Sequence, residues 1–363
     1  MEESAALAEL ADRLRGAVAQ APGGILPFED FMRRALYEPE LGYYERGSGR
    51  VGRDGDFYTS VSVGPLFGEL LGHQLADWLG TLDSPPCLVE SGAHDARLAG
   101  DILAWLETSR PALFESLTYW LVEPSPARES WQRERLARFG ERVRWTASIP
   151  RIQGIHFSNE LLDAFPVRPV RWSVARQDWE EVGVVTTAGS FHETPFQRRS
   201  DTPIPDLPAE VLAVLPDGFT TEFSPAAEAW WSQAATQVTS GYLLAIDYGL
   251  TAEEFLVPQR ARGTRRGYRH HRWVEDLLAH PGDCDLTAHV NFTRIQTAGE
   301  RQGWHTERLA DQRLGLTDIF RRVLTEPRGF GEWTPARQRQ FQTLTHPEHL
   351  GRSFRWLVQS RRP

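Results

Sequence analysis

The stretch "LVESGAHDARLAGDIL" (Leu88–Leu103) governs how the rest of the chain is read. "LVE" is a short apolar run suited to a buried strand, "SGAHDA" is a small polar turn, and "RLAGDIL" opens a helix. A strand end, a tight loop and a helix start form the place where an open α/β sheet holds a ligand. The turn contains one glycine, Gly92, while His94 and Ala96 stand where further glycines are expected.

Strands and helices alternate on both sides of this stretch. "LTYWLVEP" (Leu117–Pro124) reads as a second strand and "SPARESWQRERLARF" as a helix with a Ser-Pro start. "RVRWTAS" is a third strand, and "GIHFSNELLDAF" holds a fourth followed by a short helical turn. This order predicts an α/β fold built on a Rossmann-like, doubly wound parallel sheet. Ahead of it, Leu7, Leu10, Leu14 and Val18 share one face of an amphipathic helix. Phe28, Phe31, Met32, Ala35 and Leu36 mark a second helix, and Gly64–Leu79 a third.

Between Val167 and Ser240 the alternation breaks into an antiparallel ribbon, a proline-rich stretch and a helix near Pro225–Val238. "GYLLAIDYG" (Gly241–Gly249) then resumes a buried strand, "DLTAHVNFTRIQTAGERQGW" completes the sheet with covering helices, and "SFRWLVQSR" is a last strand. The expected organisation is an N-terminal helical extension over 1–84, a core over 85–166 and 241–363, and an inserted, partly antiparallel subdomain over 167–240.

Composition narrows the function classes. The chain has 363 residues, 40% hydrophobic and 25% charged, as soluble globular proteins do. No run approaches the ~18 apolar residues of a membrane span. A net charge of −9 argues against nucleic acid as a partner. The acidic N-terminus is unlike a secretory or transit leader, and Cys87 and Cys284 form neither a disulfide framework nor a metal motif. Together these predict a cytoplasmic protein without a metal, with oligomerisation left open.

Several constellations suggest chemistry. Glu90 and Glu123 close two successive strands, and an acid there accepts both hydroxyl donors of a ribose. Each alone reads as a solvated loop residue; the pair favours a site. The loop lacks the G-x-G-x-x-G that brings amides to a pyrophosphate, which disfavours an NAD-dependent oxidoreductase. A phosphate-free, cationic cofactor such as S-adenosylmethionine suits acids better. In "FSNELLDAFPV" (Phe157–Val167), Glu160 and Asp163 are three apart, so one helical turn aims both to one side. Paired carboxylates hold a guanidinium, although Asn159 as a helix cap followed by first-turn acids fits the same letters. Thr59 and Ser60 in "GDFYTS" are donors for a carboxylate. Asp247 ends a strand. Asp285 and His289 read as a catalytic pair or, more commonly, as a structural hydrogen bond. The basic run "GTRRGYRHH" (Gly263–His271) has no metal-like spacing.

In order along the chain, "FEDFMRRALYEPELGYY", "GDFYTS", "LVEP" with "SPA", "SNELLDAFPV", "IDYG", "GTRRGYRHH" and "DLTAHVNF" resemble the MidA family of class I S-adenosylmethionine-dependent methyltransferases. Relatives of that family in mitochondria are complex I assembly enzymes that methylate a protein arginine. The resemblance implies S-adenosylmethionine as cofactor and a protein substrate, with a respiratory-complex-type subunit as a candidate. It implies that Glu90, Gly92 and His94 line the cofactor loop and that Glu123 takes the ribose. Thr59 and Ser60 would lie near the amino-acid end. Asn159 and Glu160 would face the methyl-transfer centre, with Asp163 in support and Asp247 and His289 as further catalytic candidates.

The chain departs from the family pattern at His94 and Ala96, which replace two glycines, at "TSVS" in place of "TSPE", and at Asn291 in place of an acid. The altered loop motivates an alternative, a non-catalytic assembly or binding protein on a methyltransferase fold.

Overall fold

The computed structural model describes residues 2–46, 59–269, 272–325 and 330–362. "GDFY" of the Gly55–Ser60 motif, and His270 and His271, lie outside these residues. The chain divides into two compact units, one of Met1–Gly47, Asp163–Glu228 and Leu250–Asn291, the other of Ser48–Leu162, Ala229–Gly249 and Phe292–Pro363.

The second unit carries the sheet expected from the alternation. Its strands run in the order His305–Asp311, Phe354–Arg361, Val238–Leu250, Ile152–Asn159, Cys87–Ser91, Thr118–Val122 and Val143–Thr146. The last five are mutually parallel, and Phe354–Arg361 runs antiparallel to both of its neighbours. The central strands are apolar on both faces because helices cover both. Helices Leu66–Leu79 and Arg97–Ser109 bury Phe67, Leu70 and Leu71 with Leu98, Ile102 and Leu103 in one core. Gly68 permits their approach, since a Cβ there would stand 2.5 Å from that of Asp101.

The first unit is built from pieces distant in sequence. Leu26–Pro27 pairs antiparallel with Asp178–Thr187, whose other partners are Arg168–Ser173 and Ser190–Phe196. Thr220–Phe223 pairs with Arg168–Ser173. The N-terminal helix Glu2–Gln20 buries Leu10, Leu14 and Val18, and helix Phe28–Tyr37 buries Phe28, Phe31, Met32 and Leu36, in a core shared with Val184, Phe191 and Leu286. One expectation is corrected here. Asp285–Thr287 joins a three-stranded sheet with Arg266–Arg269 and Arg272–Val274, not the large sheet. Its antiparallel pairing with Arg266–Arg269 ties it to that small sheet instead. Phe292–Glu300 forms a covering helix as expected, and His305–Asp311 adds an edge strand to the large sheet.

A buried acid sits inside the large sheet. Glu90, on the central Cys87–Ser91 strand, accepts the Tyr119 hydroxyl of the neighbouring strand at 2.6 Å. Burial pushes its carboxyl up to about 7, against the pull of that hydrogen bond. The unfolded chain binds this proton only up to the ordinary range near 4.5. Glu90 therefore contributes most to stability below pH 4.5, and the contribution is lost as the pH rises through 7. Chemical denaturation of wild type and Glu90→Gln across this window should give curves that diverge in favour of the variant as pH rises, by up to about 1.4 kcal/mol per pH unit. Parallel curves would mean that Glu90 does not titrate there.

Candidate active site

Strand order reverses between Cys87–Ser91 and Ile152–Asn159. The chain adds Thr118–Val122 and Val143–Thr146 on one side, then Ile152–Asn159 and Val238–Leu250 on the other. A crevice opens at the carboxyl ends of strands at such a point. Ser91 and Ser158 are register partners; Gly92 leaves the sheet there, while Asn159 still pairs with Ile246 and its strand exits one residue later, at Glu160.

Both exits are left-handed. Gly92 has φ 78°, and a Cβ there would stand 2.9 Å from Leu161 Cδ1. Glycine meets both demands, a positive φ and a close neighbour. Further along the loop His94 and Ala96 also adopt positive φ, 46° and 59°. The substitutions of the family glycines thus keep the backbone path, at about 1 kcal/mol of strain each. The Ala96 amide donates to the Ala93 carbonyl at 2.6 Å, and Asp95 Oδ1 accepts the Arg97 amide at 3.1 Å, closing the turn into the helix. Burial pushes the His94 imidazole below its ordinary value, with Arg128, Arg97 and Arg135 adding to the effect, so the ring is neutral at pH 7.

Glu160 takes φ 52°, which corrects the expected helical turn joining it to Asp163. Its amide donates to the Ile246 carbonyl at 2.9 Å. Asp247 Oδ2 accepts the amides of Leu161 at 3.0 Å and Leu162 at 2.7 Å, and its Oδ1 takes the Tyr248 amide at 2.8 Å. Asp247 is therefore a buried clamp on the turn rather than a group facing a substrate. The turn holds the Glu160 side chain at the carboxyl end of the sheet, where Asn159 Nδ2 donates to its Oε1 at 3.0 Å. Asn159 Oδ1 is buried with no hydrogen-bond partner among the described residues. One strand position back, Ser158 Oγ is in the same state. The neutral His156 ring, held down to about 3 by burial, bonds Ser91 Oγ through Nε2 at 3.0 Å.

Glu123 follows the next strand and is 4% exposed. Its Oε1 accepts the Ser125 amide and Arg128 Nε, both at 2.9 Å, and its Oε2 accepts Gln132 Nε2 at 2.9 Å. A carboxylate offers about four acceptor sites, so capacity remains on Oε2.

The other expected residues sit differently. Thr59 Oγ1 accepts the Ser62 amide at 3.1 Å, and the Ser62 hydroxyl in turn binds the Thr59 carbonyl at 2.8 Å. Ser60 is buried against the side-chain amide of Gln312, 3.1 Å from its Nε2. The Thr59 hydroxyl is engaged within its own turn and the Ser60 hydroxyl with Gln312, where the sequence suggested donors to a ligand. Asp163 and His289 belong to the other compact unit. Burial raises the Asp163 carboxyl to about 7, the Ala164 amide and its own amide pulling it down. Burial lowers His289 to about 4. The expected Asp285–His289 pair is replaced by a hydrogen bond from the Tyr44 hydroxyl to Asp285 Oδ1 at 2.9 Å. Sequence reasoning missed Gln132, Arg128, Tyr119 and His156. The spacing of Arg128, Gln132 and Leu136 on one helical face was the available signal for the first two.

The donor set fits S-adenosylmethionine. An orphaned buried acceptor at Asn159 suits an ammonium, and Glu123 suits a hydroxyl. The acids suit a cation that carries no phosphate.

Comparison with known proteins agrees. Residues 70–310 match the family described as "Putative S-adenosyl-L-methionine-dependent methyltransferase". The mitochondrial protein arginine methyltransferase NDUFAF7 homolog of Drosophila melanogaster is 27% identical over 96% of this chain and 84% of its own length. The human NDUFAF7 protein is 27% identical over 92% of this chain and 80% of its own. A superfamily member from Burkholderia thailandensis, solved bound to S-adenosyl-homocysteine, superposes with a TM-score of 0.85 at 30% identity, over 99% of this chain and 94% of that one. The relatives' mitochondrial designation overturns the cytoplasmic location expected from the sequence. Cysteine usage does not tell one reducing compartment from another. The chain belongs to the MidA-type family of S-adenosylmethionine-dependent methyltransferases, whose cofactor is S-adenosylmethionine.

Proposed function

We propose that the protein transfers a methyl group to an arginine side chain of another protein, with Glu160 as the residue that holds the guanidinium. The observation that carries this reading is the left-handed Glu160, fixed by the Ile246 carbonyl and the Asp247 clamp and oriented by Asn159. Strain of this kind at the end of a sheet, held by several bonds, is typical of working residues. The curated relatives named as protein arginine methyltransferases support the substrate class.

When bound, S-adenosylmethionine supplies an electrophilic methyl carbon on a sulfonium. Gly92, His94 and the loop they shape would carry the cofactor, Glu123 its ribose, and Asn159 Oδ1 its ammonium. Glu160 would accept two guanidinium N–H bonds, which localises positive charge on those nitrogens and leaves the third as nucleophile. The guanidinium stays protonated near neutral pH, so positioning supplies much of the rate. Methylation of that third nitrogen would release one guanidinium proton. Asp247 and Thr59 are assigned to shaping their turns, and Ser60 to anchoring against Gln312.

A purely structural assembly role has less support, because its motive was the loss of two loop glycines. Positions 94 and 96 keep left-handed backbone without them.

Methyl transfer to peptides from a candidate substrate, followed by mass spectrometry, tests the proposal. Glu160→Gln should lower kcat/KM roughly 100-fold or more without changing cofactor affinity. Full activity in that variant would remove Glu160 from the mechanism, and methylation of lysine alone would remove the arginine assignment. Gly92→Ala places a Cβ against Leu161 at φ 78°, so we expect a loss of about 2 kcal/mol in stability and weaker cofactor binding. Unchanged thermal unfolding would contradict the packing described for this loop.

A further inference from the structure

The cofactor loop and the Glu123 carboxylate come from different strands, and one side chain bonds to both. Gln132 lies on helix Pro126–Leu136 and is fully buried. Its Nε2 donates to the His94 carbonyl at 2.9 Å and to Glu123 Oε2 at 2.9 Å. Its Oε1 accepts the Trp145 indole N–H at 3.0 Å. An indole N–H only donates, so Trp145 fixes which end of the amide faces which way. Both hydrogens of Nε2 are therefore directed at the loop and the acid. Arg128, one turn earlier on the same helical face, takes Glu123 Oε1 at 2.9 Å with its side chain 12% exposed. Trp145 is itself held beneath the Arg133 guanidinium, 4.2 Å from the ring centre.

The consequence is geometric. His94 is a non-glycine residue at φ 46°, and its carbonyl orientation depends on that strained backbone. A bond from Gln132 to this carbonyl holds the loop in its left-handed path. A bond from the same nitrogen to Glu123 fixes the carboxylate relative to that path. We propose that Gln132 is a positioning residue that locks the His94 loop and the Glu123 carboxylate into one preorganised ribose-binding unit. This rests on the reading of Glu123 as the ribose acid. Because both groups are set before the ligand arrives, the protein avoids ordering them on binding. The role differs from general support of the fold in one respect: the ribose hydroxyls taken by Glu123 should feel its loss several-fold more than the remainder of the cofactor does.

Isothermal titration of the full chain with S-adenosylhomocysteine and with its 2′,3′-dideoxy analogue separates the two. Gln132→Met keeps the length and packing of the side chain and removes its polar atoms. It should weaken S-adenosylhomocysteine roughly 10-fold and leave the dideoxy analogue within about 2-fold of wild type. Gln132→Glu keeps the bond from Trp145, loses both donors and sets a second carboxylate against Glu123. It should weaken S-adenosylhomocysteine at pH 8 and recover affinity at lower pH, as the new acid protonates and donates again; this variant carries the test if Gln132→Met does not fold. Equal weakening of both ligands, or no weakening of either, overturns the positioning role while leaving the cofactor reading intact. Failure of wild type to bind S-adenosylhomocysteine at all overturns the cofactor reading and this inference with it.

Discussion

Two neighbouring parallel strands that end within one residue of each other have to leave the sheet without colliding, and that constraint organises the site. Ser91 and Ser158 are partners, and the chain turns left-handed at Gly92 on one strand and at Glu160 on the other. Leu161, the residue after Glu160, fills the space where a Cβ on Gly92 would stand. The two turns are thus packed against each other, so each depends on the residue identity in its partner. Asp247 on the next strand secures the second turn by taking the Leu161 and Leu162 amides. Positive φ at a non-glycine residue is tolerated where surrounding bonds over-determine it, as they do around Glu160.

Around this pair of turns the acids fall into distinct electrostatic states. Glu90 lies inside the sheet, bonded to Tyr119, with its carboxyl near neutrality in titration. Its depth makes it a floor beneath the loop more than a ligand group. Glu123 is equally buried but surrounded by donors from Ser125, Arg128 and Gln132, which occupy its carboxylate oxygens. Glu160 stands at the sheet edge with Asn159. Three glutamates at three neighbouring strand ends, all plausible as site residues from their letters, are separated in role by burial and hydrogen bonding alone.

The sheet was legible because strand and helix periodicities alternate from Cys87 onward, and the reading of Glu90, Gly92 and Glu123 as strand-end residues followed from it. The left-handed state of Glu160 was not legible. Glutamate carries no preference for that region, unlike asparagine or glycine, so the letters "SNELLDAF" read more naturally as a helix start. Nor was the partner set of Glu123, since Arg128 and Gln132 look like ordinary polar positions of a helix until the sheet shows what that face meets. The first compact unit was obscured for another reason. Leu26–Pro27 pairs with Val184 and Gly183, and such long-range antiparallel pairing leaves no local mark in either segment. The same holds for Asp285–Thr287, whose short run resembles a core strand but pairs with Arg266–Arg269.

The account stands on the loop from Gly92 to Ala96 carrying S-adenosylmethionine despite its two non-glycine residues. A crystal structure of the protein grown with S-adenosylhomocysteine addresses this directly. The account predicts ribose hydroxyls against Glu123, the amino-acid end beside Asn159, and positive φ retained at His94 and Ala96. A ligand bound elsewhere, or a His94 side chain filling the ribose position with Glu123 still closed on Arg128 and Gln132, would contradict it.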